Sequence, residues 1–326
     1  MENEQNLNTA SQTITRKLKL SWSGDGSTLF GILIVNWILT ALTFGLYYPW
    51  AKARKLEYIY GQTRLNKENF SFHGTGNEMF KGFVKAIILL GSVYAIFLYL
   101  VSQGSSGMAL LFFYAAFVLI IPIAIHGSYR YRMSRTSWRG IRFGYTGDRN
   151  TLLRKFLEGV FLTIVTVGLY SPFLTNNIRT YIWDHVRFGS LKFSFNGNGG
   201  RYFALFLGGY FLTLITLGIY GFWWAKSLFS FYIDNMEIRH DDGVLRLKST
   251  ATVSDFFELL VINFFTIVLT FGLGAAWVTN RTMLFMTNHI KLDGEFDLDN
   301  LLQVQEDFRD ATGDEAGDLL DIDFII

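Results

Sequence analysis

The residues best placed to do chemistry in this 326-residue chain form a stripe that recurs four times. Aligning the copies on Gly45, Gly168, Gly218 and Gly272 puts Thr43, Thr166, Thr216 and Thr270 two positions earlier. Thr40, Thr163 and Thr213 stand five positions earlier, with Ile267 the one departure, and Asn36, Gly159, Gly209 and Asn263 stand nine earlier. Offsets of nine, five and two fall on one face of a helix. Such a stripe serves one of two ends. Small residues let helix backbones approach, and Gly-x-x-x-Thr at Gly159/Thr163 and Gly209/Thr213 suits that use. Alternatively, Asn36 and Asn263 face a shared polar cavity that accepts a solute or ion. An amide hydrogen bond in hydrocarbon contributes only about 0.6–2 kcal/mol, so Asn alone does not decide between them.

Other chemistry finds little support. There is no Cys, which removes disulfides, zinc thiolates and thiol nucleophiles. His73, His126, His185, His240 and His289 are widely scattered, and none sits in an H-x-x-x-H pair. The glycine pairs Gly24/Gly26, Gly74/Gly76 and Gly197/Gly199 lack the third glycine and the later acidic residue of a dinucleotide fingerprint, so they read as turns. No catalytic residue, metal or cofactor is expected, and the chain reads as a non-enzyme. Two basic clusters remain: Lys52, Arg54 and Lys55 on an amphipathic segment, and Arg130, Arg132 and Arg135 after an apolar run. Beside apolar runs, such clusters suit an anionic membrane surface better than nucleic acid. The expected partners are membrane lipids with anionic headgroups, together with an unidentified solute. The sequence leaves a homo-oligomer open.

The positioning elements follow from composition and period. Half the residues are apolar and 17% are charged, against roughly 25% charged in soluble domains. Six apolar runs, at 29–48, 83–101, 108–125, 156–173, 202–224 and 256–278, approach the roughly 20 residues that cross a bilayer. The expected fold is therefore an α-helical multi-pass membrane protein with about six transmembrane segments. Between the runs the period changes to two, at Leu20/Trp22, Phe70/Phe72, Ile141/Phe143, Phe193/Phe195 and Leu245/Leu247. These predict short strands or hairpins in the aqueous loops. The unit of strand, Gly pair, apolar helix, Thr-x-Gly and aromatic belt repeats near 19–65, 140–189, 191–240 and 244–292, with a divergent copy near 69–135. Together these copies make a repeated membrane domain over 16–298. It follows a disordered lead-in over 1–15 and precedes an acidic tail over 299–326.

Each Gly of Thr-x-Gly reads as the C′ residue ending a membrane helix. Counting bases over single spans places both termini outside and successive copies inverted, a transporter-like arrangement. A competing topology makes each Thr-x-Gly segment the bend of a re-entrant hairpin, which allows all 29 bases to lie on one side.

Four runs carry a family resemblance: Tyr47-Tyr48-Pro49-Trp50-Ala51-Lys52-Ala53-Arg54, Thr63-Arg64, Phe70-Ser71-Phe72-His73-Gly74-Thr75-Gly76, and Glu78-Met79-Phe80-Lys81-Gly82-Phe83. With the acidic end that closes on Asp321-Ile322-Asp323, the chain resembles the YjgN-like family of bacterial inner-membrane proteins, a domain of unknown function. The resemblance implies a multi-pass protein of the bacterial inner membrane and carries over no catalytic residue. The expected function is movement of a small solute or ion through a polar cleft between repeats. The alternative is a non-transport membrane scaffold or lipid-interacting protein.

Overall fold

Each apolar run that contains Thr-x-Gly turns back on itself. The computed structural model describes residues 18–240 and 243–294. The expected lead-in 1–15 and acidic tail 299–326 lie outside the described residues. Helix α1 (Gly26–Leu42) reverses into α2 (Tyr48–Gln62), and a longer hairpin joins α3 (Gly76–Ser102) to α4 (Ser106–Arg135). Three more hairpins follow: α5 (Arg149–Val165) with α6 (Ser171–Asp184), α7 (Gly199–Ile215) with α8 (Gly221–Asp234), and α9 (Val253–Leu269) with α10 (Ala275–His289).

The bend has one chemistry in all four short hairpins. Phe44 N–H donates to Ala41 O at 3.1 Å and Gly45 N–H to Thr40 O at 2.7 Å, closing α1 with the paired bonds of a Schellman motif. The expected C′ glycine is thus one place out. An apolar residue takes C′ itself, with φ of 51°, 52°, 49° and 51° at Phe44, Val167, Leu217 and Phe271. The glycine follows with φ of 87° to 96°. A side chain in the left-handed region costs roughly 1 kcal/mol, so something must offset it. The threonine hydroxyl does. Thr43 Oγ1 donates to Leu39 O at 2.7 Å and accepts the N–H of Tyr47, the first cap of α2, at 3.0 Å. Thr166, Thr216 and Thr270 repeat this bridge to Tyr170, Tyr220 and Gly274.

These bends overturn the expected six spans. The runs 29–48, 156–173, 202–224 and 256–278 are each folded in two, and their first helices are only 17 residues long. Among the described residues only α3 and α4, at 27 and 30 residues, are long and apolar enough to cross a membrane. The physical reason is that two successive left-handed residues reverse the chain where a single helix exit was expected.

The strands correct the expectation a second time. They are not scattered among separate loops but form one antiparallel sheet in sequence order. Its members are β1 (Leu20–Trp22), β2 (Thr63–Leu65), β3 (Glu68–Phe72), β4 (Thr136–Trp138), β5 (Ile141–Tyr145), β6 (Val186–Phe188), β7 (Leu191–Phe195), β8 (Met236–His240), β9 (Gly243–Ser249) and β10 (Ile290–Asp293). Because every hairpin starts and ends on this sheet, all five feet lie on one side. Inverted copies are therefore excluded.

Directly paired residues share a sheet face, and register puts Leu65, Phe70, Trp138, Phe143, Phe188, Leu191, Phe193 and Ile238 together. Strands two apart are separated by about 9.5 Å. Yet the ring centroids of Phe70 and Phe143, on β3 and β5, are 6.2 Å apart, and those of Trp138 and Phe188, on β4 and β6, are 6.1 Å apart. Side chains converge only on a concave face. The sheet is therefore curled around an aromatic plug built on Trp138, Phe188 and Leu191.

The helices close into a ring, each packed on its neighbours in sequence and α10 on α1. The closing contact copies the internal ones. Gly26 of α1 lies against Trp277 of α10, as Gly76 lies against Trp50 and Gly199 against Phe173. The accompanying ring pairs match: Phe30–Trp277 at 5.0 Å, Trp50–Phe80 at 4.9 Å and Phe173–Phe203 at 5.2 Å. Trp22 Nε1 also donates to Asn280 Oδ1 at 2.6 Å, tying β1 to α10.

The bridging hydroxyl gives a direct test. Thr216→Val removes the acceptor for Tyr220 N–H and is expected to cost about 1–2 kcal/mol in thermal unfolding of the detergent-purified protein. Thr216→Ser keeps both hydrogen bonds and is expected to recover most of that loss.

Candidate functional site

The recurring stripe faces the second helix of its own hairpin. Asn36 is buried, and its amide donates to Ala51 O at 3.1 Å. Asn263 donates to Thr282 Oγ1 at 3.3 Å and accepts from Arg281 Nη1 at 2.8 Å. Each asparagine thus bonds across its own hairpin, α1 to α2 and α9 to α10, and the structure does not join the two. Thr163 Oγ1 returns to Gly159 O at 2.7 Å within α5. Within the stripe, Asn36 Oδ1 and the Thr40 and Thr213 hydroxyls are buried without a protein partner.

Residue size at the asparagine position matches the residue opposite. Asn36 meets the small Ala51, whereas Gly159 and Gly209 lie against Leu174 and Trp224, which a Cβ at either glycine would overlap. In these three hairpins a small residue stands opposite a larger one, whereas Asn263 is held by hydrogen bonds with Thr282 and Arg281. Thr43, Thr166, Thr216 and Thr270 serve the bend.

The basic clusters separate. Lys52 is buried, Arg54 is exposed and Lys55 half-buried, so the cluster does not lie on one solvated face. Arg130, Arg132 and Arg135 occupy the last turns of α4, and Arg135 binds both carboxylate oxygens of Glu78 at 3.0 Å. A larger basic surface was missed. Register places Arg64, Arg142, Arg187, Lys192, Arg239, Arg246, Lys248 and Lys291 on the convex face of the sheet, with Glu237 and Asp293 its acids. Burial alone would raise the Glu237 pKa. Hydrogen bonds from Arg239 and Arg246, at 3.1 and 3.2 Å, outweigh it and hold the carboxyl below its ordinary range. The sequence signal was present: Arg or Lys alternates with the apolar residues of β5, β7, β9 and β10. Strand pairing was needed to show that these bases share a face.

The most exposed large apolar residues were also missed. Phe44, Val167, Leu217 and Phe271, the left-handed residues of the four bends, are 92% to 99% exposed. Leu42, Leu46, Val165, Leu169, Ile215, Ile219, Leu269 and Leu273 surround them and are exposed as well. The signal for these was an apolar residue standing between Thr and Gly in every copy. Among the described residues there is no cluster of three metal-ligating side chains.

Size matching across the hairpin makes a coupled prediction. Gly209→Ala is expected to destabilise the protein by about 1–3 kcal/mol through overlap with Trp224. Trp224→Leu in the same chain is expected to relieve most of that penalty, as a double-mutant cycle on detergent-solubilised protein will show.

Comparison with known proteins places this architecture in a family. The family model described as "Bacterial protein of unknown function (DUF898)" matches residues 17–196 and 226–319. The protein named Inner membrane protein YjgN from Salmonella typhimurium is 32% identical over 126 residues, 39% of this chain and 31% of that protein. Its namesake in Escherichia coli O157:H7 is 23% identical over 200 residues, 51% of this chain and 49% of that protein. The chain thus spans half or less of the length of the curated relatives it matches. No solved structure matches it. Since the family model covers most of the strands and hairpins just described, the chain belongs to this bacterial family of unknown function.

Proposed function

We propose that the chain is an inner-membrane protein that seats its helical ring in the bilayer from one face and organises lipid there, rather than moving a solute. The observation that carries this reading is the set of four exposed apolar bends, Phe44, Val167, Leu217 and Phe271. Each offers to hydrocarbon a side chain that water disfavours by about 1.5–3 kcal/mol.

Charge position supports a depth. Along the second helices the first cations after the bend glycines are Lys52, Arg179, Lys226 and Arg281, seven to eleven residues on. At 1.5 Å per residue that is roughly 10–17 Å, about half of a ~30 Å hydrocarbon core. Four hairpins then occupy one leaflet. By the same rise, α3 and α4 reach about 15–24 Å further than their short counterparts, enough for this pair alone to cross. The convex basic face of the sheet lies at the foot of the hairpins, where it favours an anionic leaflet. The names of the two relatives agree with an inner-membrane location.

Transport finds less support than lipid organisation. Asn36 and Asn263, the residues expected to line a cleft, donate their amide N–H groups within separate hairpins. The aromatic plug of the sheet also lies at the foot of the ring. The reading includes no catalytic step.

The absence of native Cys permits single-site labelling. Ser102→Cys and Lys291→Cys are expected to react with membrane-impermeant maleimide from opposite sides. Phe44→Cys, Val167→Cys, Leu217→Cys and Phe271→Cys are expected to react from neither. Labelling of the four bends from the Ser102 side would sink the one-leaflet arrangement. Proteoliposomes are expected to hold ion gradients as well as empty vesicles do, and a protein-dependent leak would return transport to first place.

A further inference from the structure

The hairpin of α1 and α2 carries a groove of about 490 Å³ lined by Thr28, Gly31, Ile32 and Val35 on α1 and by Arg54, Glu57, Tyr58, Gly61 and Gln62 on α2. It lies off the buried face of α1, which consists of Gly26, Leu29, Leu33 and Asn36. Two features suggest what fills it. The first is polarity along its length. The end towards the sheet holds Glu57, Gln62 and Thr28, while the α1 wall becomes apolar at Ile32 and Val35. The same helix face continues through Ile38 and Leu42, which are 51% and 71% exposed, up to the bend. The second is charge. Arg54 and Glu57 stand one helical turn apart in the groove, and among the described residues neither has an ion-pair partner. A cation and an anion so placed complement a headgroup that carries both signs.

We propose that this groove binds a phospholipid with an ammonium-bearing headgroup, of the phosphoethanolamine class. Its phosphate meets Arg54, its ammonium meets Glu57, and one acyl chain follows Ile32, Val35, Ile38 and Leu42 towards the bend. The charges explain the headgroup class. A purely anionic headgroup satisfies Arg54 but faces the Glu57 carboxylate, and a neutral diacylglycerol satisfies neither. Gly31 and Gly61 border open space in the groove, where a Cβ at either position meets nothing within 4 Å and a longer side chain has room to extend. The proposal rests on the membrane seating argued above and names the lipid that the seated protein selects.

Native mass spectrometry of the full chain, released from detergent after titration with phosphatidylethanolamine or phosphatidylglycerol, tests it. The expected result is one tightly held phosphatidylethanolamine, with at least tenfold weaker binding of phosphatidylglycerol at that first site. Gly31→Leu fills the groove without a backbone clash and is expected to abolish the tight site. Gly61→Leu provides a second, independent blockade, and unchanged melting in detergent shows that both variants fold. Glu57→Gln is expected to bring the two lipids to within about threefold of each other, and Arg54→Gln to weaken both. Equal binding of the two lipids by the unaltered protein, or a tight site that survives both glycine variants, overturns the proposal. Carbonate extraction of membranes separates this from failure of the seating itself. Gly31→Leu protein is expected to stay in the membrane fraction, whereas release of the unaltered protein would defeat the seating whatever lipid binds.

Discussion

The hydroxyl of Thr43 and its three counterparts is the interaction on which the rest of the molecule depends. Its proton goes to the last turn of one helix and its lone pair receives the first free N–H of the next. A helix–helix reversal leaves backbone groups of both kinds without partners, and one side chain satisfies one of each. The bond also helps hold an apolar residue in the left-handed region, where it is almost fully exposed. Remove that hydroxyl and the two left-handed residues still reverse the chain, but a carbonyl of one helix and an N–H of the next lose their shared partner.

From that constraint the ring is assembled by repetition. The first, third and fifth hairpins each offer an aromatic ring near the start of the second helix, and the next hairpin round the ring receives it beside the start of its first. The contact between α10 and α1 is the same as those inside the chain, so the fifth hairpin meets the first as an ordinary neighbour. Closure therefore needs no special element. Below the helices, curvature sends the aromatic side chains inward, where they meet across two strand spacings, and leaves the bases outside. One alternating strand pattern thus produces both the plug and the basic rim.

The divergent hairpin gains meaning in this frame. Its helices α3 and α4 connect through Gln103, Gly104 and Ser105, without the Thr-x-Gly bend, and they are much the longest of the ten described. Glu78, near the foot of α3, caps its own helix through Thr75 and also holds Arg135 at the foot of α4. The longest hairpin is thereby clamped at its base. On the proposed seating it is the one part that reaches the far leaflet, while four short hairpins remain in the near one.

Much of this was legible in the residues. The repeat, its copies, the strand positions and the recurrence of Thr and Gly are all local patterns, and local patterns survive without a fold. Direction was not. A helix that exits a membrane and a helix that doubles back both show Thr, an apolar residue, Gly and aromatics. The difference lies in whether one residue or two adopt positive φ, and Phe44 carries no mark of it in its type. The function of the stripe was hidden for a related reason. Asn36 and Gly209 look unlike each other until Ala51 and Trp224 are seen opposite them, because packing fixes the sum of two side chains and not either one. The sequence by itself determined the units and their chemistry. Only the tertiary structure decided that the units face the same way, close into a ring and put their bases on one convex face. Those properties depend on pairing between segments far apart in the chain, which no single segment encodes.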